Sequence, residues 1–156
     1  MALANTVREY LDSKGVEFKL LTHPHTPSSM RTAEAAHIPG NQMAKSVVLE
    51  DDEGYLIAVI PASHRLELEQ LSEQLHRRLE LASEDELDDL FFDCEPGAVP
   101  AVGEAYGIRT VYDDSLSPHA DIYFEAGDHT DVVHISGRDF SKLMSGCEHG
   151  CISSHS

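Results

Sequence analysis

An α+β fold with a mixed or mainly antiparallel sheet is predicted by three features of the sequence. Two near-continuous apolar runs, residues 43–49 and 55–60, flank Asp51-Asp52-Glu53-Gly54, which marks a central hairpin whose strands are buried on both faces. A second pair of strand-like segments, 121–126 and 131–135, is separated by Gly127-Asp128-His129-Thr130 and reads as a second hairpin. Helical periodicities stand beside these hairpins instead of alternating with single strands, which argues against a simple α/β order. At 156 residues with 41% hydrophobic composition, the chain suits one compact domain with a substantial core.

Taken in order, Leu3, Val7, Tyr10 and Leu11 recur at helical spacing and Gly15 provides a stop, giving an amphipathic first helix. Val16, Phe18 and Leu20 alternate with Glu17 and Lys19, the pattern of a strand with one solvated side, which Pro24 and Pro27 end. Residues 23–30 read as a loop, and Thr32 is expected to cap a short helix that runs through Ala36 and stops at Pro39-Gly40. After the central hairpin, Ser63 is the expected cap of a helix carrying Leu68, Leu71 and Leu75. A short strand within 77–82 precedes a capping box, Ser83 with Glu86, which opens a helix through Leu87, Leu90 and Phe91. A strand at 108–112 follows the Gly/Pro-rich segment 94–103. Ser136 with Asp139 repeats the capping spacing before a last helix with Phe140, Leu143 and Met144, and residues 146–156 read as a polar tail.

Composition limits the function. A formal net charge of −17 argues against an extended phosphate-gripping surface, because such binding is largely counterion release by Lys and Arg. No apolar run approaches the length of a spanning helix, and the start of the chain lacks the pattern of a signal peptide, so a cytoplasmic location is expected and no membrane partner. Three cysteines fit reduced thiols better than a disulfide framework. Walker, Rossmann and Gly-x-Ser-x-Gly fingerprints are absent, which leaves nucleotide-binding, dehydrogenase and serine hydrolase readings unsupported.

Two features carry candidate chemistry. Lys45 lies in an apolar strand, where an ammonium is costly to bury without a negative partner, and it is expected to face the loop 94–103. Its functional reading is an anchor for a carbonyl or phosphate oxygen; its structural reading is a stem lying on apolar surface with the charge in water. Gly97-x-x-Pro100-x-x-Gly103 is a loop in which glycine allows close backbone approach and proline fixes φ, so that it brings amides to a ligand or simply makes a turn. Cys147, His149 and Cys151, with Cys94 or His155, invite a zinc reading, but their spacing lacks the paired clusters of a structural site, and no metal or other cofactor is expected.

Together these residues resemble a known family. Thr32-Ala33-Glu34-Ala35-Ala36, then Ala44-Lys45-Ser46-Val47-Val48, then Cys94-x-x-Gly97-Ala98-Val99-Pro100-Ala101-Val102-Gly103, then Ala126-Gly127 with Asp131, are similar to the YbaK/prolyl-tRNA synthetase associated domain. The order and spacing extend over residues 1–145, leaving 146–156 as a Cys/His-containing tail. The resemblance implies a compact α+β domain with a twisted mixed sheet and the activity of an editing domain that hydrolyses the ester of mischarged tRNA. It implies that Lys45 is the essential pocket lysine, with Ser46 beside it. Gly97, Pro100 and Gly103 would shape the loop holding the terminal adenosine and aminoacyl group, with Gly127 and Asp131 also at the pocket. Two departures bear on substrate choice: Ala101 stands where many members have a second proline, and Glu125-Ala126-Gly127-Asp128-His129 replaces a Gly-Ser-type loop.

The expected mechanism positions a water against the ester carbonyl, with Lys45 and loop amides holding the adenosine phosphate or developing oxyanion and no protein nucleophile. The expected partner is the 3′ end of aminoacyl-tRNA, which Arg31 or Arg65 could also touch, with an aminoacyl-tRNA synthetase as a further partner and no DNA. Two other readings stand beside it: a catalytically inactive binding module of the same fold that recognises an aminoacyl-derived ligand, and an acidic protein-interaction domain without a pocket.

Overall fold

The computed structural model describes residues 4–23, 29–94, 99–117, 119–128 and 130–155. The first helix, α1 (Asn5–Ser13), buries Val7 and Leu11, and Gly15 leaves it at a φ of 66°, as the sequence predicts. The following strand, β1 (Lys19–Thr22), starts three residues later than alternation suggests, its ladder beginning with Lys19 opposite His134.

Helix α2 (Ser29–Ala35) begins before Thr32, which therefore is not a cap. Thr32 is fully buried and its hydroxyl donates to Glu125 Oε1 at 2.7 Å, so a polar residue read as a helix boundary is a contact between helix and sheet. The central hairpin forms as expected from β2 (Met43–Asp51) and β3 (Gly54–Pro61), in register from Ala44 opposite Pro61 to Asp51 opposite Gly54. Strand β4 (His64–Leu66) occupies the place where Ser63 was to cap a helix, and α3 (Leu68–Leu75) starts after Glu67 with no side-chain cap. A two-residue strand, β5 (Glu80–Leu81), is followed by α4 (Glu84–Leu90), whose Ser83–Glu86 capping box closes in both directions. Strands β6 (Arg109–Asp113), β7 (Asp121–Glu125) and β8 (Asp131–Ser136) precede α5 (Gly137–Leu143), where Ser136 Oγ accepts from the Asp139 amide.

Residues 146–156 correct the polar-tail expectation. They carry β9 (Glu148–Gly150), parallel to β6, and β10 (Ser153–His155), antiparallel to β4. Asp113 holds them in place: its buried carboxylate accepts the Ile152 and Ser153 amides at 2.8 and 3.0 Å, and Ile152 is fully buried.

The main sheet has the order β1-β8-β7-β2-β3-β6-β9, with β5 added beside β2. Four of its pairings are antiparallel and three, β2–β7, β3–β6 and β6–β9, are parallel, so the sheet is mixed. Successive residues of a strand point to opposite faces. Ala44 and Val48 accordingly join the larger core with α1, α4 and α5, while Met43 and Leu49 face α2 and α3 on the other side.

Candidate functional site

The arrangement around β2 leaves an opening in the sheet. On one edge β2 is paired with β3 along almost its whole length. On the other edge the ladder to β7 ends at Ala44 opposite Phe124, and the ladder to β5 begins only at Leu49 opposite Leu81. Residues 45–47 therefore border a gap with no strand partner on that edge among the described residues. Gln42 O and Val48 O both accept from this side, from Tyr123 and Ala82, and the two-residue period of a strand aims the Ser46 amide and carbonyl into the gap as well.

Lys45 and Ser46 leave the strand at this gap on opposite faces. The Ser46 hydroxyl donates to the carbonyl of Pro100 at 2.9 Å and so ties the Gly/Pro loop to β2. The expectation that Lys45 faces this loop is corrected here, since period two sends Lys45 to the α2 side, where its Nζ donates to Ala62 O at 3.4 Å. Lys45 is half-buried, and burial lowers its pKa from the usual lysine range. No carboxylate among the described residues offsets that shift, so the negative partner that the sequence argument called for is not a side chain seen here.

The loop itself is described only from Val99 onward, so Gly97 lies outside the described residues. Pro100 is buried, with Val99, Ala101 and Val102 in the larger core. Gly103 has a packing requirement: a Cβ there would stand 2.5 Å from Thr110 Oγ1 and 2.7 Å from Ile57 Cδ1. Thus Gly103 lets the end of the loop lie close against β3 and β6.

The turn between β7 and β8 closes the other rim. Gly127 has a φ of 108°, a left-handed conformation that side chains rarely adopt, and a Cβ there would press on Ala4 and Cys94. Asp131 is buried and accepts from the Thr22 hydroxyl at 2.7 Å, while its amide donates to Asp128 Oδ1 at 2.9 Å. Burial alone would raise the Asp128 carboxyl, but the amides of Asp131 and Thr130 outweigh it and hold the group below its ordinary value. His129 lies outside the described residues. Of the predicted residues, Ser46, Pro100 and Gly103 are assembled on one face, Gly127 and Asp131 on the adjoining rim, and Lys45 on the other face at the same end of the sheet.

Sequence reasoning missed the clamp that anchors the loop. Asp93 accepts from the Thr6 amide at 3.1 Å and the Tyr106 hydroxyl at 2.7 Å, joining α1, the loop and the 3₁₀ turn at Gly103–Tyr106. Cys94 lies against this group, and burial pushes its thiol up to about 12, which removes it as a nucleophile at neutral pH. It also missed the Thr32–Glu125 pair; a threonine inside the Ala-rich segment 32–36 was the available signal. Among the described residues, no group of three or more His, Cys, Asp or Glu side chains is placed to hold a metal ion, and no helix is long and apolar enough to cross a membrane. A groove of about 660 Å³ lies at the far end of the sheet, lined by Asp12, Glu17, Lys19, Asp121, His134 and Asp139, away from every residue of the candidate site.

Comparison with known proteins gives this geometry a context. No curated protein sequence matches the chain. Among solved structures, hypothetical protein APE2540 is 23% identical with a TM-score of 0.84, the match covering 96% of this chain and 100% of that one. A protein described as a candidate trans-editing enzyme for prolyl-tRNA synthetase is 20% identical with a TM-score of 0.84, covering 97% and 96%. A candidate signal transduction protein from Marinobacter aquaeolei VT8 is 20% identical with a TM-score of 0.77, covering 95% of this chain but 30% of that one. These likenesses establish the shared fold. The family model for the aminoacyl-tRNA editing domain matches residues 23–143, the span that contains β2, the Gly/Pro loop and the β7–β8 turn, and the chain belongs to that family.

Proposed function

We propose that this protein is a trans-acting hydrolase that removes the amino acid from mischarged tRNA by cleaving the aminoacyl ester, working in the cytoplasm without a cofactor. The observation that carries the reading is the half-buried Lys45 ammonium, with no carboxylate partner among the described residues, at a gap in the sheet bordered by the Ser46 backbone and the Gly127–Asp131 rim. A cation held partly dry and uncompensated is prepared for an anion that arrives with the substrate.

In this reading the 3′ end of the tRNA enters the gap. Lys45 meets the terminal phosphate or the oxyanion that develops on the ester carbonyl, and Ser46 fixes the Pro100 carbonyl so that the loop with Gly97 and Gly103 can hold the adenosine. Asp131 and the Gly127 turn border the aminoacyl group. Water is the nucleophile in this reading, since burial holds the Cys94 thiol protonated. The substrate's own ribose hydroxyl helps to orient that water. Amino-acid choice rests on cavity size, where one methylene is worth about 1–3 kcal/mol. A synthetase is the natural partner for a protein that receives charged tRNA.

A panel of aminoacylated tRNAs scored for deacylation tests this. Turnover of at least one mischarged species, lost in Lys45→Ala with the circular dichroism spectrum intact, is the expected result. Binding of charged tRNA without turnover across the panel would identify a binding module of the same fold instead.

A further inference from the structure

The tRNA reading leaves open how so acidic a protein holds RNA beyond the last nucleotides. Of the 11 Lys and Arg residues, Arg65, Arg77 and Arg109 are engaged with carboxylates. Lys14 and Lys142 are different. They line one cavity of about 360 Å³ together with Tyr10, Ser145 and Glu104, and neither is within ion-pair distance of a carboxylate among the described residues. Lys14 follows α1 and reaches back over the Tyr10 ring, its Nζ 5.6 Å from the centroid. Lys142, on the last turn of α5, comes from the other side: its Nζ stands 3.6 Å from where a Cβ on Gly15 would be. Burial, with Glu104 and Cys147 nearby, raises the Tyr10 pKa, so its hydroxyl stays a donor. Arg138, one helical turn before Lys142, is exposed.

We propose that the Lys14–Lys142 cavity is a second RNA contact, a cradle for a backbone phosphate of the tRNA beyond its 3′ end. Two facts about placement favour an RNA phosphate. The start of α1 is bonded to the rim of the gap, Ala4 N to Ala126 O at 2.9 Å, and the ten residues from Ala4 at about 1.5 Å each put Lys14 about 15 Å farther along the helix. On the proposed reading, a strand holding its last adenosine on the Gly/Pro loop would follow α1 from the rim to this cavity. The larger groove nearby is excluded, because Asp12, Glu17, Asp121 and Asp139 surround its Lys19 and His134 and would repel phosphate. The alternative role for the two lysines is to complement the negative ends of α1 and α5. A helix-end role affects stability and leaves RNA binding unchanged.

This inference rests on the tRNA reading, and its test separates the two. Binding of uncharged tRNA is titrated across salt for the wild type, for Lys14→Gln with Lys142→Gln, and for a control, Arg78→Gln with Arg109→Gln. Both double variants lose two positive charges from a net −17, so a change confined to the first is local. The log-log salt slope of the first variant is expected to be shallower by about 1.4–1.8, two contacts at about 0.7–0.9 each, with the control unchanged. In deacylation, KM for full-length aminoacyl-tRNA should rise about tenfold at constant kcat, while a short aminoacylated 3′ oligonucleotide is cleaved as by wild type. Absent deacylation with this slope difference intact would overturn the enzyme reading and leave the cradle standing. Equal slopes for wild type and the lysine variant, or no binding of tRNA by the wild type, would overturn the cradle.

Discussion

Lys45 is a cation whose surroundings favour its neutral form, and this sets the pH behaviour expected of the protein. Because burial lowers its pKa, the ammonium is lost on the alkaline side at a pH below that of a free lysine. Deacylation, corrected for spontaneous ester hydrolysis, should therefore fall as pH rises through that value. Lys45→Arg should retain measurable activity and shift the fall to higher pH, because a guanidinium stays charged. Lys45→Ala should lower kcat/KM by about 10²-fold or more, the scale of losing one preorganised donor. Asp131→Ala should cost less activity than Lys45→Ala but more stability, about 1 kcal/mol, since a buried side chain is truncated and its hydrogen bond from the exposed Thr22 hydroxyl is lost. Equal activity losses in the two variants, or an alkaline limb that Lys45→Arg does not move, would falsify this division of roles.

Two elements depend on single carboxylates. The end of the central hairpin is held to the segment after α3 by Asp51, whose Oδ2 and Oδ1 accept from Arg77 at 2.5 and 2.6 Å with both side chains almost inaccessible. The Arg77 donation, helped by the amides of Glu53 and Gly54, lowers the Asp51 carboxyl to about 2. A group with a lowered folded pKa stabilises the fold above its ordinary value near 3.8 and loses that contribution as pH falls toward 2. Asp51→Asn should thus be less stable than wild type at pH 7 and show a smaller further loss between pH 5 and pH 2, measured by thermal melts. At the other end, Asp113→Ala removes the acceptor of two buried amides. It should cost about 2–4 kcal/mol and raise hydrogen exchange first in β9 and β10, because both are three-residue strands at the edges of their sheets. Gly103→Ala should destabilise by about 1–3 kcal/mol, since the new methyl must displace Thr110 or Ile57.

For the whole molecule, a charge of −17 on 156 residues means that compaction works against self-repulsion. Raising salt from about 10 mM to about 1 M shortens the screening length from roughly 30 to 3 Å. The melting temperature should rise by several degrees over that range; a fall would show that exposed ion pairs such as Arg109–Glu148 outweigh the repulsion. The same charge makes the chain's few free cations informative. With so much negative surface, an unpaired lysine in a cavity marks a place where an anion can be held.

What the sequence by itself determined was local. The two hairpins, α1 with its Gly15 stop and the Ser83–Glu86 capping box follow from side-chain period and turn chemistry, which act over a few residues. By motif, the family resemblance pointed to Lys45, Ser46, Gly97, Pro100, Gly103, Gly127 and Asp131 as the candidate site. Tertiary structure alone decided which face each of these residues occupies relative to the others. Lys45 and Ser46 are neighbours in sequence yet leave opposite sides of the sheet, because a strand alternates and only the core fixes which side is which. The gap at residues 45–47 exists because β7 and β5, from distant parts of the chain, stop short of each other along β2. Thr32 and Asp113 belong to the same class: each polar side chain meets a partner that long-range folding delivers, so Thr32 read as a cap and the strands held by Asp113 read as a polar tail.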